Sequence, residues 1–211
     1  MLLHFKRCNF TNTCNKIKLS MNPLNLFNTW YQEELNKSTV PLPSVCCLSS
    51  IGSDGYPNSR FVSLKEVIDQ KFVITGPIKS RKGVELLANP KAALTFWWTA
   101  TERQVRVQGD AIQIENDLAK TYFSKRSKGA QIVSHISNQG EQTNDFSELV
   151  STFEKEKINT VNSIIDKPKH WSGFYIVPKR IELMTFKKNR LHYRELYVKT
   201  NNKWSKFILQ P

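Results

Sequence analysis

The chain has 211 residues, enough to bury a core as one domain with appendages, and its 31 lysines and arginines exceed its 18 acidic residues to give a formal net charge of +13. That excess favours an anionic partner, which could be nucleic acid, an anionic membrane surface or a phosphorylated small molecule. No apolar run approaches the ~20 residues of a membrane span, and the four cysteines show no CxxC spacing, so we expect a soluble, cytoplasmic protein with no membrane partner, metal site or disulfide framework.

The first twenty residues differ in composition from the rest, because residues 1–20 contain basic side chains but no acidic one. We expect a disordered leader here, with a mitochondrial presequence as the alternative. Met21 is a conceivable second start. We expect residues 21–211 to form a single domain.

Hydrophobic patterning in the first half predicts two helices and five strands. Asn22 and Pro23 supply a cap and a first-turn proline for a helix whose apolar residues recur three and four positions apart. Three strands separated by polar breaks form an antiparallel meander, and two longer strands follow a short helix that Ser80 caps. The predicted strands cover residues 45–50, 58–67, 71–75, 92–98 and 103–114, and the short helix covers residues 80–88.

The second half is predicted to contain three helices followed by a return to strands. The helices cover residues 115–126, 129–136 and 145–158, and the strands cover residues 171–177, 180–186, 194–200 and 204–209. Phe146, Leu149 and Phe153 would form the inward face of the third helix. Asn201 and Asn202 make the last hairpin turn. Strands at both ends with helices between them indicate a mainly β fold, a closed antiparallel barrel with helical additions.

Basic side chains of the first half recur in positions that suit an anion. Strand alternation sends Arg60 and Lys65 to opposite faces of their strand. Arg81 and Lys82 lie in the first turn of the short helix, where they oppose the helix dipole unless an anion sits between them. We therefore expect a phosphate group there. The alternative is that each is a solvated surface cation of a basic protein.

Seven separated blocks of sequence share one order and one spacing. They are residues 60–65, 80–82, 89–90, 103–109, 122–126, 171–173 and 190–192, which include Ser80-Arg81-Lys82, Trp171-Ser172-Gly173 and Arg190-Leu191-His192. In this order they resemble the pyridoxamine 5′-phosphate oxidase family over about residues 22–211. The combined spacing is far more specific than any one block.

The resemblance implies an FMN-binding split β-barrel of antiparallel Greek-key type, and a homodimer that binds two FMN molecules at the subunit interface. It implies that the protein oxidises pyridoxine 5′-phosphate and pyridoxamine 5′-phosphate with O2 to pyridoxal 5′-phosphate, releasing hydrogen peroxide. FMN would carry out the redox step, and the protein would orient the substrate.

The resemblance also assigns roles to individual residues. Those implied to contact FMN are Arg60, Lys65, Thr75, Arg81, Lys82, Gln104, Gln139, Met184 and Arg194, the last from the other subunit. Those implied to bind the substrate are Lys65, Tyr122, Arg126, Ala130, Arg190 and His192. Tyr122 and Arg126 are four residues apart, so we expect them on one helical face, gripping the substrate phosphate together with Lys65. Arg190 and His192 are the implied catalytic pair, which orients the pyridine ring and the reacting carbon.

Several residues depart from the family pattern, and three of them motivate an alternative function. Met184 stands where a tryptophan packs on the flavin, Tyr193 where an acidic residue is usual, and Ala130 where a serine binds phosphate. They favour, as an alternative, a divergent relative with an altered substrate or a non-catalytic protein that binds FMN or pyridoxal phosphate. A nucleic-acid-binding protein is less favoured, because Trp97 and Trp98 lie in an apolar strand pattern that is typical of core packing.

Overall fold

The computed structural model describes residues 22–211, and the expectations for a leader over residues 1–20 and for a start at Met21 lie outside the described residues. The described chain contains, in order, α1 Pro23–Lys37, β1 Val45–Ile51, β2 Pro57–Ile68, β3 Lys71–Pro77, α2 Arg81–Ala88, β4 Lys91–Trp98, β5 Arg103–Gln113, α3 Asn116–Ser124, α4 Lys128–Ile136, α5 Phe146–Asn159, β6 Trp171–Thr185, β7 Tyr193–Thr200 and β8 Lys203–Leu209. No helix in that part of the chain is long and apolar enough to cross a membrane.

The strands form one antiparallel sheet in the order β3-β2-β1-β4-β5-β6-β7-β8. Because β3 also pairs with β6, the strands from β1 to β6 close into a barrel. The chain passes from β3 to β4 through α2 and skips β2 and β1, which is a Greek-key connection. β7 and β8 extend the sheet beyond the ring through a turn at Asn201 and Asn202, whose φ angles of 49° and 60° are left-handed. The predicted antiparallel barrel and last hairpin are confirmed.

Alternation along the strands places one face of each strand in the barrel core. Phe72, Phe96 and Trp98 are buried there, and Phe27 of α1 packs its ring against all three. Burying an apolar side chain of this size contributes about 1.5–3 kcal/mol. On the same helix the carboxylate of Glu34 is buried, because the turn between β4 and β5 donates hydrogen bonds to it. Helix α1 therefore seals one end of the barrel.

The strands predicted separately over residues 171–177 and 180–186 are one continuous strand, β6, of 15 residues. The register of β5 against β6 shifts between Gln108 and Gly109, and Pro178 lies opposite Gly109. A bulge of this kind accommodates a proline, which cannot donate a backbone hydrogen bond to the sheet. Two predicted strands therefore merge into the longest strand of the barrel.

The helix predicted over residues 115–126 is shorter than expected, because α3 ends at Ser124. Ser127 then caps α4 through its side chain, so the chain turns between the two helices. Arg126 lies in this turn, outside α3. The expectation that Arg126 and Tyr122 share one helical face is therefore wrong. The Tyr122 side chain projects from helix α3, and the Arg126 side chain projects from the turn that follows it.

Two aromatic residues expected to be buried are exposed. Phe146 begins α5 and is 69% exposed, while Leu149 and Phe153 are only half-buried, because α5 packs mainly against α4. Trp97 is 64% exposed and Trp98 is buried, because neighbouring residues of β4 point to opposite faces of the sheet. The expectation that both tryptophans belong to the core is wrong for Trp97.

Closure of the barrel leaves no room for a side chain at Gly173. This residue pairs with Thr75 across the junction of β3 and β6, and a Cβ atom there would collide with the backbone carbonyl oxygen of Ile74. We expect Gly173→Ala to lower the free energy of unfolding by about 1–3 kcal/mol, the usual effect of overpacking, as measured by denaturant unfolding.

The matched control is Gly129→Ala in α4. The added methyl group would meet Phe153 at 3.5 Å, an ordinary contact, so this variant should keep the stability of the parent chain or gain up to about 1 kcal/mol from better helix propensity. Equal loss of stability in the two variants would contradict this account of the closure.

Candidate functional site

A cavity of about 390 Å³ opens between the β2–β3 wall of the barrel and helix α4. Six of the residues singled out from the sequence line it: Arg60, Lys65, Thr75, Lys82, Arg126 and Gln139. Strand β2 supplies Arg60 and Lys65, the first turn of α2 supplies Lys82, and the turn after α3 supplies Arg126. Four cations thus converge from three elements, and the volume suits a small-molecule ligand. The cavity can hold an anion.

A buried carboxylate organises one wall of this cavity. Glu85 of α2 accepts hydrogen bonds from Arg60 (2.9 Å) and from Nε of Arg81 (3.0 Å). Ser50 and Asn58 donate two more. Burial alone would raise the pKa of Glu85, but the hydrogen bonds from Ser50, Arg81 and Arg60 hold it below its ordinary value. Glu85 therefore stays ionised and fixes the guanidinium of Arg60 at the cavity.

Lys82 is the cation whose protonation the cavity changes most. Its ammonium group donates to Oγ of Ser80 (3.0 Å) and to Oε1 of Gln139 (2.7 Å), which are both neutral acceptors. Ser80 occupies the N-cap position of α2, but its hydroxyl donates to the carbonyl of Pro77 and makes no side-chain cap. Burial, and then the charge of Arg60, lower the pKa of Lys82 to about 8. An anion beside Lys82 would favour its charged form.

Two buried polar atoms on the cavity wall have no hydrogen-bond partner among residues 22–211, namely Oγ1 of Thr75 and Nε of Arg126. Leaving such an atom unsatisfied costs about 1–3 kcal/mol. The Arg126 guanidinium is otherwise held by the ring of Trp171, at 5.2 Å, and by the carbonyl of Ala130, at 3.1 Å. Burial, and then the charge of Arg126, also lower the pKa of Lys65. These groups fit a ligand that carries phosphate oxygens.

Three residues assigned to phosphate contacts, Arg81, Ala130 and Tyr122, lie off the cavity wall. Arg81 is exposed and turns toward Glu85 and Asp54, the latter at 4.0 Å, so it does not line the cavity. Ala130 offers its backbone carbonyl to Arg126, and its methyl group is not part of the wall. The structure therefore places only Lys82, of the two cations in the first turn of α2, beside the candidate ligand.

Tyr122 buries its ring in a second apolar cluster and donates its hydroxyl to the carboxylate of Glu66. Burial, and then this hydrogen bond, raise the pKa of Tyr122 far above its ordinary value. Tyr122 therefore remains a hydrogen-bond donor at neutral pH. The hydroxyl already donates its hydrogen bond to Glu66. A ligand anion that accepts a hydrogen bond from Tyr122 must therefore compete with this carboxylate.

The remaining candidate residues form a second group where β5, β6 and β7 lie side by side. Gln104 pairs with Met184, which in turn pairs with Arg194. Arg190 and His192 lie in the loop between β6 and β7. None of these five lines the cavity described above. One chain therefore carries two separate groups of candidate residues.

The loop between β6 and β7 holds His192 in a defined orientation. Nδ1 of His192 accepts a hydrogen bond from the backbone N–H of Lys187 (3.0 Å), and the imidazole packs edge-on against Phe186, with the ring centroids 5.1 Å apart. Arg190 has a left-handed φ of 67° in the same loop. Strained backbone of this kind is typical of loops that present functional side chains.

Carboxylates anchor the residues that follow this loop. Arg194 pairs with the buried carboxylate of Glu182 (2.8 Å), which also pairs with Arg106 (3.2 Å). Tyr193 donates its hydroxyl to Glu195 (2.9 Å). Arg194 is therefore oriented before any ligand binds, and the exposed Tyr193 is tied by its hydroxyl to a buried carboxylate.

Sequence reasoning assigned no role to three residues that shape the cavity. Glu85 lies four residues after Arg81 on a helix, a spacing at which opposite charges meet, so a search for paired charges could have found it. Glu66 and Trp171 act through partners that are distant in sequence, Tyr122 and Arg126, and no local signal identifies them.

Comparison with curated proteins finds close relatives over most of the chain. A pyridoxine/pyridoxamine 5′-phosphate oxidase from Thermosynechococcus vestitus is 36% identical over 189 residues, which cover 90% of this chain and 89% of the relative. One from Bacteroides fragilis is 35% identical over 191 residues, with 90% and 81% of the two chains covered.

Solved structures share the fold at lower identity. PhzG from Burkholderia lata, in complex with tetrahydrophenazine-1-carboxylic acid, has a TM-score of 0.83 at 24% identity and covers 90% of this chain and 93% of its own. A pyridoxamine 5′-phosphate oxidase-related, FMN binding protein from Nostoc punctiforme has a TM-score of 0.74 at 14% identity, covering 91% and 99%. The barrel is therefore a split barrel of this type.

Two family models match successive parts of the chain. The model described as pyridoxamine 5′-phosphate oxidase matches residues 32–159, which include the cavity group. The model described as the pyridoxine 5′-phosphate oxidase C-terminal dimerisation region matches residues 171–211, which include Met184, Arg190, His192 and Arg194 of the second group. Because these two models match most of the chain and curated relatives match nine-tenths of its length, the chain belongs to the pyridoxamine 5′-phosphate oxidase family.

Proposed function

We propose that the protein is an FMN-dependent oxidase that converts pyridoxine 5′-phosphate and pyridoxamine 5′-phosphate to pyridoxal 5′-phosphate, with O2 as the acceptor and hydrogen peroxide as the second product. The observation that carries this proposal is the cavity itself. Four cations and two unsatisfied buried polar atoms meet there, and a phosphorylated ligand would satisfy both. The names of the curated relatives support the choice of substrate.

The cavity group suits FMN on chemical grounds. Arg60 and Lys82 would hold its phosphate, Thr75 would offer its unpartnered hydroxyl, and Gln139 would offer its amide. FMN, when bound, would supply the acceptor for the hydride, with its two electrons, that leaves the substrate carbon. The ion pair with Glu85 keeps Arg60 aimed at the cavity, so little side-chain entropy is lost on binding.

The substrate phosphate would be held by Lys65 and Arg126, which share the wall of the cavity. Tyr122 would be a further donor once its hydroxyl leaves Glu66. Two cations are needed because a phosphate dianion loses much hydration when it leaves water. Arg190 and His192 would orient the pyridine ring and the C4′ carbon. Because Nδ1 of His192 already accepts a backbone hydrogen bond, its Nε2 would be the atom offered to the ligand.

A homodimer would join the two groups of residues into one site. The outer barrel face carries large exposed side chains, including Phe61 (78%) and Trp97 (64%), and an exposed apolar face of this kind is typical of a protein interface. The match of residues 171–211 to a dimerisation region supports self-association through this part of the chain. We propose that a twofold axis sets the loop of one subunit, with Arg190 and His192, beside the cavity of the other.

The activity is tested by absorbance spectroscopy of the protein loaded with FMN. Anaerobic addition of pyridoxine 5′-phosphate should bleach the flavin band, and air should restore it with release of peroxide. Pyridoxine without the phosphate is the control, because it lacks the group that Lys65 and Arg126 would hold. A flavin band that persists with the phosphorylated substrate would exclude the oxidase and leave a flavin-binding protein, the alternative favoured by Ala130 and Met184.

The shared site is tested by mixing two inactive variants. Lys82→Ala damages the cavity and His192→Ala damages the loop, so a heterodimer contains one site with both defects and one intact site. With random pairing, the mixture should recover about a quarter of the parent activity. Activity no higher than that of either variant alone would place the whole site within one subunit.

The lowered pKa of Lys82 predicts how FMN affinity depends on pH. The ammonium of Lys82 is charged below a pKa of about 8 and neutral above it, so FMN should bind more weakly as pH rises from 7 to 9, as measured by flavin titration. The FMN phosphate is already a dianion over this range. Lys82→Met should flatten the pH dependence, whereas Lys79→Met, at an exposed lysine just before α2, should keep it. An unchanged pH dependence in Lys82→Met would refute the assignment.

A further inference from the structure

Trp97 is an exposed indole to which the proposed function assigns no ligand contact. Its neighbours Phe96 and Trp98 are buried in the barrel, whereas Trp97 is 64% exposed on the outer face of β4. A large aromatic side chain placed on a face with polar neighbours points to a ligand or partner more strongly than a scattered leucine would.

The sheet aligns Trp97 with residues of the second group. Trp97 pairs with Gln104, Gln104 with Met184, and Met184 with Arg194, so the four side chains form one row across four adjacent strands. With strands ~4.8 Å apart, the row is roughly 14 Å long. It offers an indole, an amide, a thioether and a guanidinium to one surface. This is the combination that a flat, polar-edged ring system needs: apolar area for its face and donors for its rim.

Ring contacts also connect Trp97 to the loop between β6 and β7. The indole packs against Phe186 with centroids 5.1 Å apart and planes inclined by 57°. Phe186 in turn packs edge-on against His192, again at 5.1 Å. Trp97, Phe186 and His192 therefore form a continuous aromatic wall that begins on β4 and ends at the catalytic candidate.

We infer that Trp97 stacks on the planar heteroaromatic ring of a bound ligand, either the flavin of FMN or the pyridine ring of the substrate. Phe186 positions both the indole and the imidazole of His192. Met184, which is 9% exposed, offers no aromatic surface in this row. Trp97 supplies an aromatic surface on β4, which lies two strands away from β6. This inference rests on the proposed function, because that function names the two rings. It adds a contact residue for them.

The test uses the emission of FMN, because an indole stacked on a flavin quenches its fluorescence. FMN bound to the parent protein should be dim, and FMN bound to Trp97→Leu should be several-fold brighter, with a dissociation constant roughly two- to tenfold higher. Trp97→Tyr should lie between them. In Trp97→Leu, the second change Met184→Trp returns an indole to the same row and should restore part of the quenching.

Trp204→Leu is the matched control. Trp204 lies on β8, four strands away from β4 in the sheet, so its loss should leave both the brightness of bound FMN and its affinity unchanged. Sedimentation of each variant separates a ring contact from a contact between subunits. A Trp97→Leu protein that fails to dimerise but binds FMN with unchanged brightness would overturn the inference.

A second titration with pyridoxine 5′-phosphate alone distinguishes the two rings. Weaker binding of this compound to Trp97→Leu, with FMN binding unchanged, assigns the stacked ring to the substrate, and the reverse result assigns it to the flavin. If Trp97→Leu binds both ligands as the parent does, the inference fails while the proposed function stands. If the parent protein binds neither ligand, the proposed function fails and the inference falls with it.

Discussion

The pairing of β3 with β6 is the contact on which the site depends. It turns an open sheet into a barrel and sets Thr75, Gly76 and Pro77 opposite Gly173, Ser172 and Trp171. Thr75 and Trp171 both line the cavity, and the ring of Trp171 supports the guanidinium of Arg126. The absence of a side chain at Gly173 lets the two backbones approach. A change that opened this seam would therefore separate the cations that now share one wall.

Much of the fold could be predicted from local sequence, because local chemistry decides it. The Asn22 side chain caps α1 at the position that Asn22-Pro23 indicated, and the Asn201-Asn202 pair adopts the left-handed angles that a tight hairpin requires. Strand alternation predicted the antiparallel meander and the alternation of apolar side chains along its strands. Helix ends were less predictable, since α3 stops where the next cap begins, and Pro178 is tolerated only because β5 shifts its register opposite it.

The site was harder to predict, because its side chains are oriented by partners distant in sequence. The spacing of cations around residue 80 located the cavity, but only Lys82 faces it, since Glu85 draws Arg81 away. Tyr122 was expected to face phosphate directly, yet its hydroxyl is bound to Glu66, which lies 56 residues earlier. The exposure of Trp97 could have been predicted from strand alternation alone. Neighbouring residues of a strand point to opposite faces of the sheet, so Trp97 and Trp98 cannot both face the barrel core.

Glu85 also bears on the order in which the protein assembles. Arg60 and Lys82 are close enough for the charge of one to affect the protonation of the other, and such repulsion opposes folding. By neutralising Arg60 from within the same chain, Glu85 removes much of this repulsion without any help from a phosphate. Closing the barrel therefore need not wait for an anion to offset this repulsion.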